Sequence, residues 1–357
     1  MTEVVTSAAM EGQGRYNRNS QVQAAGLSPA VPMLERAAQA VPLPGEWMPI
    51  VIADYGSSQG HNSLAPVSTA IDVLRERAGL ERAISVVHVD LPENDFTALF
   101  ETLRSDPQTY LKRDAAVFAS AVGRSFYEQI LPAETVTLGW SSWALQWLSQ
   151  TPAVIPDQVQ VALSSDAEVK NAFHRQAAED WQQFLVARGQ ELCEGGRLVV
   201  LTMAIDEHGE FGYRALLQAM YASLVKMVET GFLSEEELRQ MVIPTVGRSL
   251  EELMAPFAAE GSFAGLRVEE AEVFLSEDHI WGDYQRDKDP RSFGARWAAF
   301  SRASVFPTLA EALNSDGEVG RCATFITRLE SMTAAQLTEH PERMLIPLAR
   351  MRLAKQG

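Results

Sequence analysis

Short apolar runs alternate with longer helical patterns over roughly the first 200 residues of the chain. The helical patterns are clearest over 63–78 and 167–192. The apolar runs are typical of buried strands, and in chain order they are IVIADYG, AISVVHVD, DAAVFASAVG, ETVTLGWSS and GGRLVVLTMA. Strands that alternate with helices predict a parallel sheet covered on both faces, and therefore an α/β fold.

The pattern changes after Asp206. Most of 206–261 has helical periodicity, and the segment GLRVEEAEVFL then returns to the alternation of a strand. Two further helical stretches, 291–313 and 317–334, precede a last strand within RMLIPLARMRLA. The chain therefore predicts a sheet domain that is interrupted by a helical insertion.

These patterns define three predicted units. Residues 46–205 and 262–357 form the α/β core, and 206–261 form a helical cap. Parts of 276–315 are able to join that cap. Residues 1–45 precede the first strand and are predicted to form an N-terminal arm.

Composition and charge exclude several function classes. Of the 357 residues 46% are hydrophobic, and the 47 acidic residues outnumber the 30 basic ones to give a net charge of −17. Because no cluster of Lys or Arg interleaved with aromatic residues stands out, a nucleic-acid partner is not expected. No run of about eighteen apolar residues occurs, so a membrane span is not expected either.

The two cysteines, Cys193 and Cys322, lack the spacing of metal ligands. We therefore expect core-filling thiols rather than a disulfide framework or a metal site, and a location in the reducing cytoplasm. The sequence does not fix the oligomeric state, and a homodimer is compatible with it.

The turn after the first strand is the first candidate for a binding site. Ligands of open α/β sheets lie beyond the carboxyl ends of the strands, and here the turn contains Asp54, Gly56 and Gly60. It has neither the Gly-Lys-Ser/Thr of a phosphate-binding loop nor the glycine pattern of dinucleotide binders. Asp90 ends the second strand, where an acid can accept hydrogen bonds from both ribose hydroxyls. The turn and the acid together predict an adenosine ligand without a pyrophosphate, such as S-adenosylmethionine; the alternative is that both aspartates only cap loops.

Six further segments form an ordered set along the chain: YNRNSQVQ, IADYGSSQGHN, DLPENDFTALF, SFYEQILP, WSSWALQWLSQTP and FLVARGQELCEGGRLVVLT. In this order they resemble the sequence blocks of the plant SABATH carboxyl methyltransferases and of their bacterial relatives. The resemblance extends from about residue 12 to 204, and more faintly to Phe263.

The resemblance implies a Rossmann-like class I methyltransferase core, with a mainly parallel seven-stranded sheet and an inserted helical cap. It also implies transfer of the methyl group of S-adenosylmethionine to a small carboxylic acid, with S-adenosylhomocysteine as the second product. Because a carboxylic acid is already ionised at neutral pH, such a transfer needs no general base and no metal. We expect an in-line displacement at the methyl carbon.

By this resemblance, the cofactor contacts fall on the arm and on several strand ends. The implied set, from the methionine end of the cofactor to its adenine, is Ser20, Asp54, Gly56, Asn62, Asp90, Leu91, Ser125 and Phe126. Amide, hydroxyl and carboxylate groups suit the amino acid and the ribose diol, whereas Leu91 and Phe126 suit the faces of a purine.

The resemblance also implies a site for the acid. Gln23 and Trp147 match the pair of donors that holds the substrate carboxylate and are the predicted catalytic residues, with Tyr16 beside the reacting centre. The arm is then expected to close over the active site. Trp143, Gln146 and Trp147 would share one face if WALQWL is helical; the alternative for two tryptophans on one face is a place in the core.

Three positions depart from the common plant pattern. Gln146 stands where His is frequent, Trp143 replaces Tyr, and Leu217 aligns with a pocket Trp of salicylate-type members. An aliphatic residue in place of an aromatic clamp favours a flexible chain, so a medium-chain fatty acid is the predicted substrate. The alternatives are an aromatic acid such as salicylate or benzoate, a heterocycle methylated on nitrogen, and a cofactor-binding protein without catalysis.

Overall fold

The computed structural model describes residues 26–314 and 320–357. A seven-stranded sheet is its centre. The strands are β1 (Ile50–Tyr55), β2 (Ile84–Asp90), β3 (Val117–Gly123), β4 (Val136–Ser142), β5 (Leu192–Met203), β6 (Leu266–Leu275) and β7 (Pro347–Lys355). Their order across the sheet is β3-β2-β1-β4-β5-β7-β6.

The first five strands pair in parallel, and only β7 runs antiparallel to its neighbours β5 and β6. The predicted mainly parallel sheet is therefore confirmed. In the ladders Asp54 lies opposite His88, and Asp90 lies opposite Gly123. This register brings the carboxyl ends of β1, β2 and β3 to one edge of the sheet, where the polar turn residues follow.

Helices cover both faces of the sheet. Those associated with the sheet are α1 (Val31–Ala40), α2 (His61–Ala78), α3 (Phe96–Ser105) and α4 (Ala167–Glu191). Successive strand residues face opposite sides, so Val199 and Leu201 join one apolar core whereas Leu198 and Val200 join the other. Strands buried on both faces need continuous apolar runs, which explains why the sequence reveals them.

The remaining helices come from two parts of the chain. They are α5 (Arg214–Glu229), α6 (Glu235–Gln240), α7 (Leu250–Met254), α8 (His279–Asp287), α9 (Pro290–Ser304), α10 (Phe306–Ala310) and α11 (Arg321–Glu339). Helix α11 packs against both α5 and α9, so helices that follow β6 join the inserted ones in a single layer.

A partly buried ion pair connects the two parts of this layer. Glu237 of α6 accepts from Arg321 of α11 at 2.5 Å, and the backbone N–H of Asn314 also donates to it. These hydrogen bonds, that of Arg321 first, lower the pKa of Glu237 to about 2, so the pair stays charged at neutral pH. Across 26–314 and 320–357, no helix has the length and apolar content that a membrane span requires.

Candidate active site

The turn between β1 and α2 depends on two glycines with positive φ. Gly56 has φ 87° and Gly60, the residue before α2, has φ 82°. A Cβ atom on Gly56 would lie 2.3 Å from the Cβ of Ala144. The turn after β1 therefore lies directly against the loop after β4, and only a residue without a side chain fits between them.

Asp90 anchors this turn from the end of β2. Its Oδ2 accepts from the N–H of Ser58 at 2.6 Å, and its Oδ1 accepts from the N–H of Leu91 at 2.9 Å. A carboxylate has about four acceptor positions, so each oxygen keeps one for a ligand. Burial raises the pKa of Asp90 to about 6, the two backbone N–H groups oppose that rise, and the nearby charge of Asp54 adds to it.

Binding of S-adenosylhomocysteine should weaken as the pH falls through about 6. The predicted ribose contact needs an acceptor position that protonation of Asp90 replaces by an O–H group, so proton uptake opposes ligand binding. Affinity should be constant well above this pKa and fall by up to about tenfold per pH unit well below it. Calorimetric titrations between pH 5 and 8 measure this, and Asp90→Asn should remove the dependence. Equal affinity of the wild type at pH 5 and 7 would rule out Asp90 as the ribose acceptor.

Asp54 is buried at the end of β1 and belongs to a chain of polar side chains. Its Oδ2 lies 2.8 Å from Nδ1 of His88, whose Nε2 lies 2.7 Å from the hydroxyl of Tyr110. The structure thus fixes the orientation of the Asp54 carboxylate through two residues that the sequence analysis missed. The only sequence signal is a histidine inside an otherwise apolar strand.

The segment after β3 contributes an aromatic face. The Cε1 atom of Phe126 would be 3.7 Å from a Cβ on Gly56. The centroids of the Phe126 and Tyr127 rings are 4.8 Å apart. The carbonyl of Phe126 accepts from Arg188 at 2.6 Å, and Arg188 forms a fully buried ion pair with Glu191. The sequence analysis also missed this Arg188–Glu191 pair, because both residues lie far along the chain from the Phe126 segment that Arg188 supports.

The predicted cofactor residues that are described therefore fit an S-adenosylmethionine site. Asp54, Gly56, Asp90 and Phe126 meet at one sheet edge, with Leu91 and Ser125 beside them in the chain and Asn62 in the first turn of α2. The buried hydroxyls of Ser57 and Ser58 have no hydrogen-bond partner within the described structure. Unsatisfied buried hydroxyls in a glycine turn are groups that a polar ligand would satisfy.

The WALQWL segment is not helical, so the helical condition for a shared face of its tryptophans is not met. Trp143 has φ 55°, and its N–H donates to the carbonyl of Leu201 at 2.9 Å. Trp147 forms an isolated β-bridge with Thr245. The N–H of Trp147 makes only an i→i−3 turn bond, to the carbonyl of Ala144 at 3.0 Å, so no α-helical ladder forms and the segment is a loop, here called the acid loop (143–147).

The acid loop nevertheless brings Trp143, Gln146 and Trp147 to one cavity, which Leu217 of α5 also lines. The cavity has an empty volume of about 620 Å³, which includes space open to solvent. Its wall is mainly apolar, and further lining residues are Met203, Phe211, Tyr213, Leu216, Met220, Ile243, Phe300 and Val305.

Gln146 is held by the protein at both ends of its amide. Its Nε2 donates to the carbonyl of Trp143 at 2.6 Å, and its Oε1 accepts from Thr202 at 3.2 Å. The structure therefore gives Gln146 a role in bracing the acid loop, in addition to its place in the cavity wall.

Tyr16, Ser20 and Gln23 lie outside the described residues, so their predicted contacts remain predictions. The first described residue, Gly26, lies against the acid loop, because a Cβ on it would be 2.6 Å from Cζ2 of Trp143. Within 26–314 and 320–357, no group of three or more His, Cys, Asp or Glu side chains is arranged to hold a metal ion.

Comparison with known proteins identifies the family. The family model described as "SAM dependent carboxyl methyltransferase" matches residues 2–351. Salicylate carboxymethyltransferase of Clarkia breweri is 31% identical over 284 residues, which cover 76% of this chain and 78% of that protein. Gibberellic acid methyltransferase 1 of Arabidopsis thaliana is 27% identical over 344 residues, which cover 88% of this chain and 89% of that protein.

A solved structure shows the same fold. Loganic acid methyltransferase with SAH superposes with a TM-score of 0.77 at 23% identity, covering 98% of this chain and 99% of that one. With the sheet order, the glycine turn and the match over nearly the whole chain, this chain belongs to the family of S-adenosylmethionine-dependent carboxyl methyltransferases.

Proposed function

We propose that this methyltransferase acts on a free carboxylic acid with an apolar tail, and that medium-chain fatty acids are its preferred substrates. The observation that carries the proposal is the cavity beside Trp147, whose wall includes Leu217 together with Leu216 and Met220 of the same helix. Aliphatic side chains adapt to a flexible chain, and each buried methylene contributes about 0.8 kcal/mol.

The reaction requires placement more than proton transfer. The acid is ionised at neutral pH, so its oxygen is already the nucleophile and no side chain has to remove a proton. The bound cofactor supplies an electrophilic methyl group on a sulfonium. Holding two reactants in line is worth up to roughly 7–11 kcal/mol of barrier in favourable cases.

The contact between the glycine turn and the acid loop supports such placement. Gly56 belongs to the proposed cofactor turn, and Ala144 lies between the two tryptophans that line the cavity. Because these two residues are in contact, a carboxylate held by the acid loop would lie next to the cofactor. The geometry therefore favours a direct transfer between adjacent ligands.

We further propose that the indole N–H of Trp147 and the amide of Gln23 hold the carboxylate, with the arm closing over the site. Burial of an anion is costly unless donors satisfy it. Trp147 is 8% exposed and lines an apolar cavity, so its N–H would act in a dry environment. The contact between Gly26 and Trp143 supports the proposal, because Gly26 follows Gln23 by three residues and lies against the acid loop.

An aromatic acid is the second candidate. The rings of Phe211, Tyr213 and Phe300 also line the cavity, and they would stack on a planar substrate. The similarity to a protein named salicylate carboxymethyltransferase favours the same class. Both candidates share the carboxylate grip and differ only in the body of the acid.

Octanoate should be methylated faster than salicylate or benzoate at equal concentration. Within the series from butanoate to dodecanoate, kcat/KM should rise by up to about fourfold per methylene until the cavity is full. Direct quantification of the methyl ester measures the relative rates of the three acids and the dependence of kcat/KM on chain length. Leu217→Trp should lower activity on octanoate more than on benzoate, because the larger ring fills the aliphatic part of the cavity.

Faster turnover of the aromatic acids would reject the fatty-acid proposal and leave the carboxyl methyltransferase assignment intact. Methylation of a heterocycle and of no acid would reject the carboxylate grip as well.

A further inference from the structure

A buried hydroxyl connects the proposed adenine site to the acid loop. Tyr127 follows Phe126 directly in the chain and is 9% exposed. Its hydroxyl donates to the carbonyl of Trp147 at 2.6 Å. The residue after the predicted adenine contact is thus bonded to the backbone of the residue proposed to hold the acid.

A buried arginine completes this junction. Arg248 is 2% exposed, and its Nη1 donates to the carbonyl of Leu145 at 2.5 Å. Its Nε and Nη2 donate to the carbonyl of Ala177 in α4 at 3.1 and 2.8 Å. Arg248 also lies close enough to the Tyr127 hydroxyl for its charge to lower the pKa of that hydroxyl. It forms no ion pair with a carboxylate in the described part of the chain, so its fork serves to fix backbone carbonyls.

The acid loop is also fixed just beyond Trp147. Asp180 of α4 is fully buried and accepts from both the N–H and the hydroxyl of Ser149, at 2.8 and 2.6 Å. The carbonyls of Leu145 and Trp147 and the backbone of Ser149 are therefore all held by buried side chains. The Tyr127 hydroxyl therefore links the proposed adenine-binding segment directly to the backbone of this loop.

We propose that Tyr127 and Arg248 are positioning residues that set Trp147 relative to the adenine-binding segment, so that cofactor and acid bind with positive coupling. This proposal rests on the proposed function, because it takes Phe126 as an adenine contact and Trp147 as the acid donor. Ordering of Phe126 by the cofactor restrains Tyr127, and the hydroxyl transmits that restraint to the Trp147 carbonyl.

The chemistry of the junction suits a permanent link. Burial raises the pKa of the Tyr127 hydroxyl well above its usual range, with the charge of Asp180 adding to the rise and Arg248 opposing it. The hydroxyl therefore remains a donor over the whole working pH range. Phenylalanine at this position would keep the ring contact with Phe126 and delete only the hydroxyl and its hydrogen bond to the Trp147 carbonyl.

Tyr127→Phe tests the proposal through the coupling itself. The Kd of S-adenosylhomocysteine is measured by calorimetry without acid and with a saturating concentration of whichever of octanoate, benzoate and salicylate the wild type methylates fastest. In the wild type the acid should tighten this Kd by about 5- to 150-fold, the usual range of coupling between two sites. In the variant the tightening should fall to about twofold or less, while the Kd without acid changes by less than about threefold.

Ser223→Ala is the matched control. Its buried hydroxyl donates to a carbonyl at 2.7 Å within α5 and links no two parts of the site, so the coupling should stay at the wild-type value. Arg248→Lys keeps the charge but loses the planar fork, so it should reduce the coupling as Tyr127→Phe does. It serves as the test variant if Tyr127→Phe does not fold.

Unchanged coupling in Tyr127→Phe, or no coupling in the wild type, would overturn the positioning role. Either result, obtained with an enzyme that methylates one of the three acids, would leave the proposed function in place. Methylation of none of the acids would instead reject the proposed function.

Discussion

Trp147→Phe should lower kcat/KM for the acid by about 10- to 150-fold, while the Kd of S-adenosylhomocysteine stays within about threefold of the wild-type value. Phenylalanine keeps most of the apolar ring that lines the cavity but removes the indole N–H. One carboxylate oxygen then loses a donor in a dry site, and a hydrogen bond to a charged group is worth about 1.5–3 kcal/mol. Steady-state kinetics combined with calorimetry separates the two effects.

Trp181→Phe is the matched control. The Trp181 indole N–H donates to the carbonyl of Leu253 at 3.0 Å, in the core and away from the residues that line the cavity. This variant should lose about 1–3 kcal/mol of stability, because the Leu253 carbonyl loses its donor and the smaller ring fills less of the core, and it should keep its kcat/KM. Gln23→Leu should lower kcat/KM in the same direction as Trp147→Phe. An unchanged kcat/KM in Trp147→Phe would show that Trp147 does not hold the acid. An unchanged kcat/KM in Gln23→Leu would show the same for Gln23 on the arm.

The central strands were predictable because their apolar runs are continuous, and the long helices because their burial is periodic. The pattern over 167–192 predicts a helix, and the structure has one over Ala167–Glu191. Asp166 caps it by accepting from the N–H groups of Glu168 and Val169, which fixes its start locally. Where the determinants of an element lie within a few residues of one another, the sequence alone suffices.

The acid loop shows why other parts were not predictable. Its tryptophans have helical spacing, yet the N–H of Trp143 bonds to Leu201 and the backbone of Trp147 pairs with Thr245. Leu201 and Thr245 lie far along the chain from the acid loop, so no local sequence pattern predicts these contacts. The same holds for the His88–Tyr110 contact behind Asp54, which only the folded sheet brings together.

The sheet edge that carries the predicted cofactor residues was predictable for a different reason. Residues that end neighbouring parallel strands meet in space whatever the details of packing. The structure places Asp54, Gly56 and Asp90 at one edge, as expected from their positions after β1 and β2. Their individual contacts with the cofactor remain predictions, as do those of Ser20 on the arm.

Gly56→Ala should weaken binding of S-adenosylhomocysteine by about 30-fold or more and lower the melting temperature. A residue with a side chain pays about 1–2 kcal/mol to adopt the positive φ of Gly56. The added methyl would also lie 2.3 Å from Cβ of Ala144, and overpacking of this kind costs about 1–3 kcal/mol. The acid loop is held in place, because the N–H of Trp143 donates to the carbonyl of Leu201 in β5. The turn itself must therefore move, and Asp54 and the serine hydroxyls move with it.

Two further variants separate backbone strain from the clash. Gly79→Ala also has a positive φ, 81° with ψ 171°, but no atom lies within 4 Å of the new Cβ, so backbone strain should cost about 1–3 kcal/mol of stability and leave the Kd unchanged. Ala144→Gly, combined with Gly56→Ala, removes the methyl that the new side chain meets and should restore at least about tenfold of the lost affinity. In a double-mutant cycle, this rescue measures the contact between the cofactor turn and the acid loop directly. If the double variant binds no better than Gly56→Ala alone, the loss arises from backbone strain and the two parts of the site are not in the close contact on which direct methyl transfer depends.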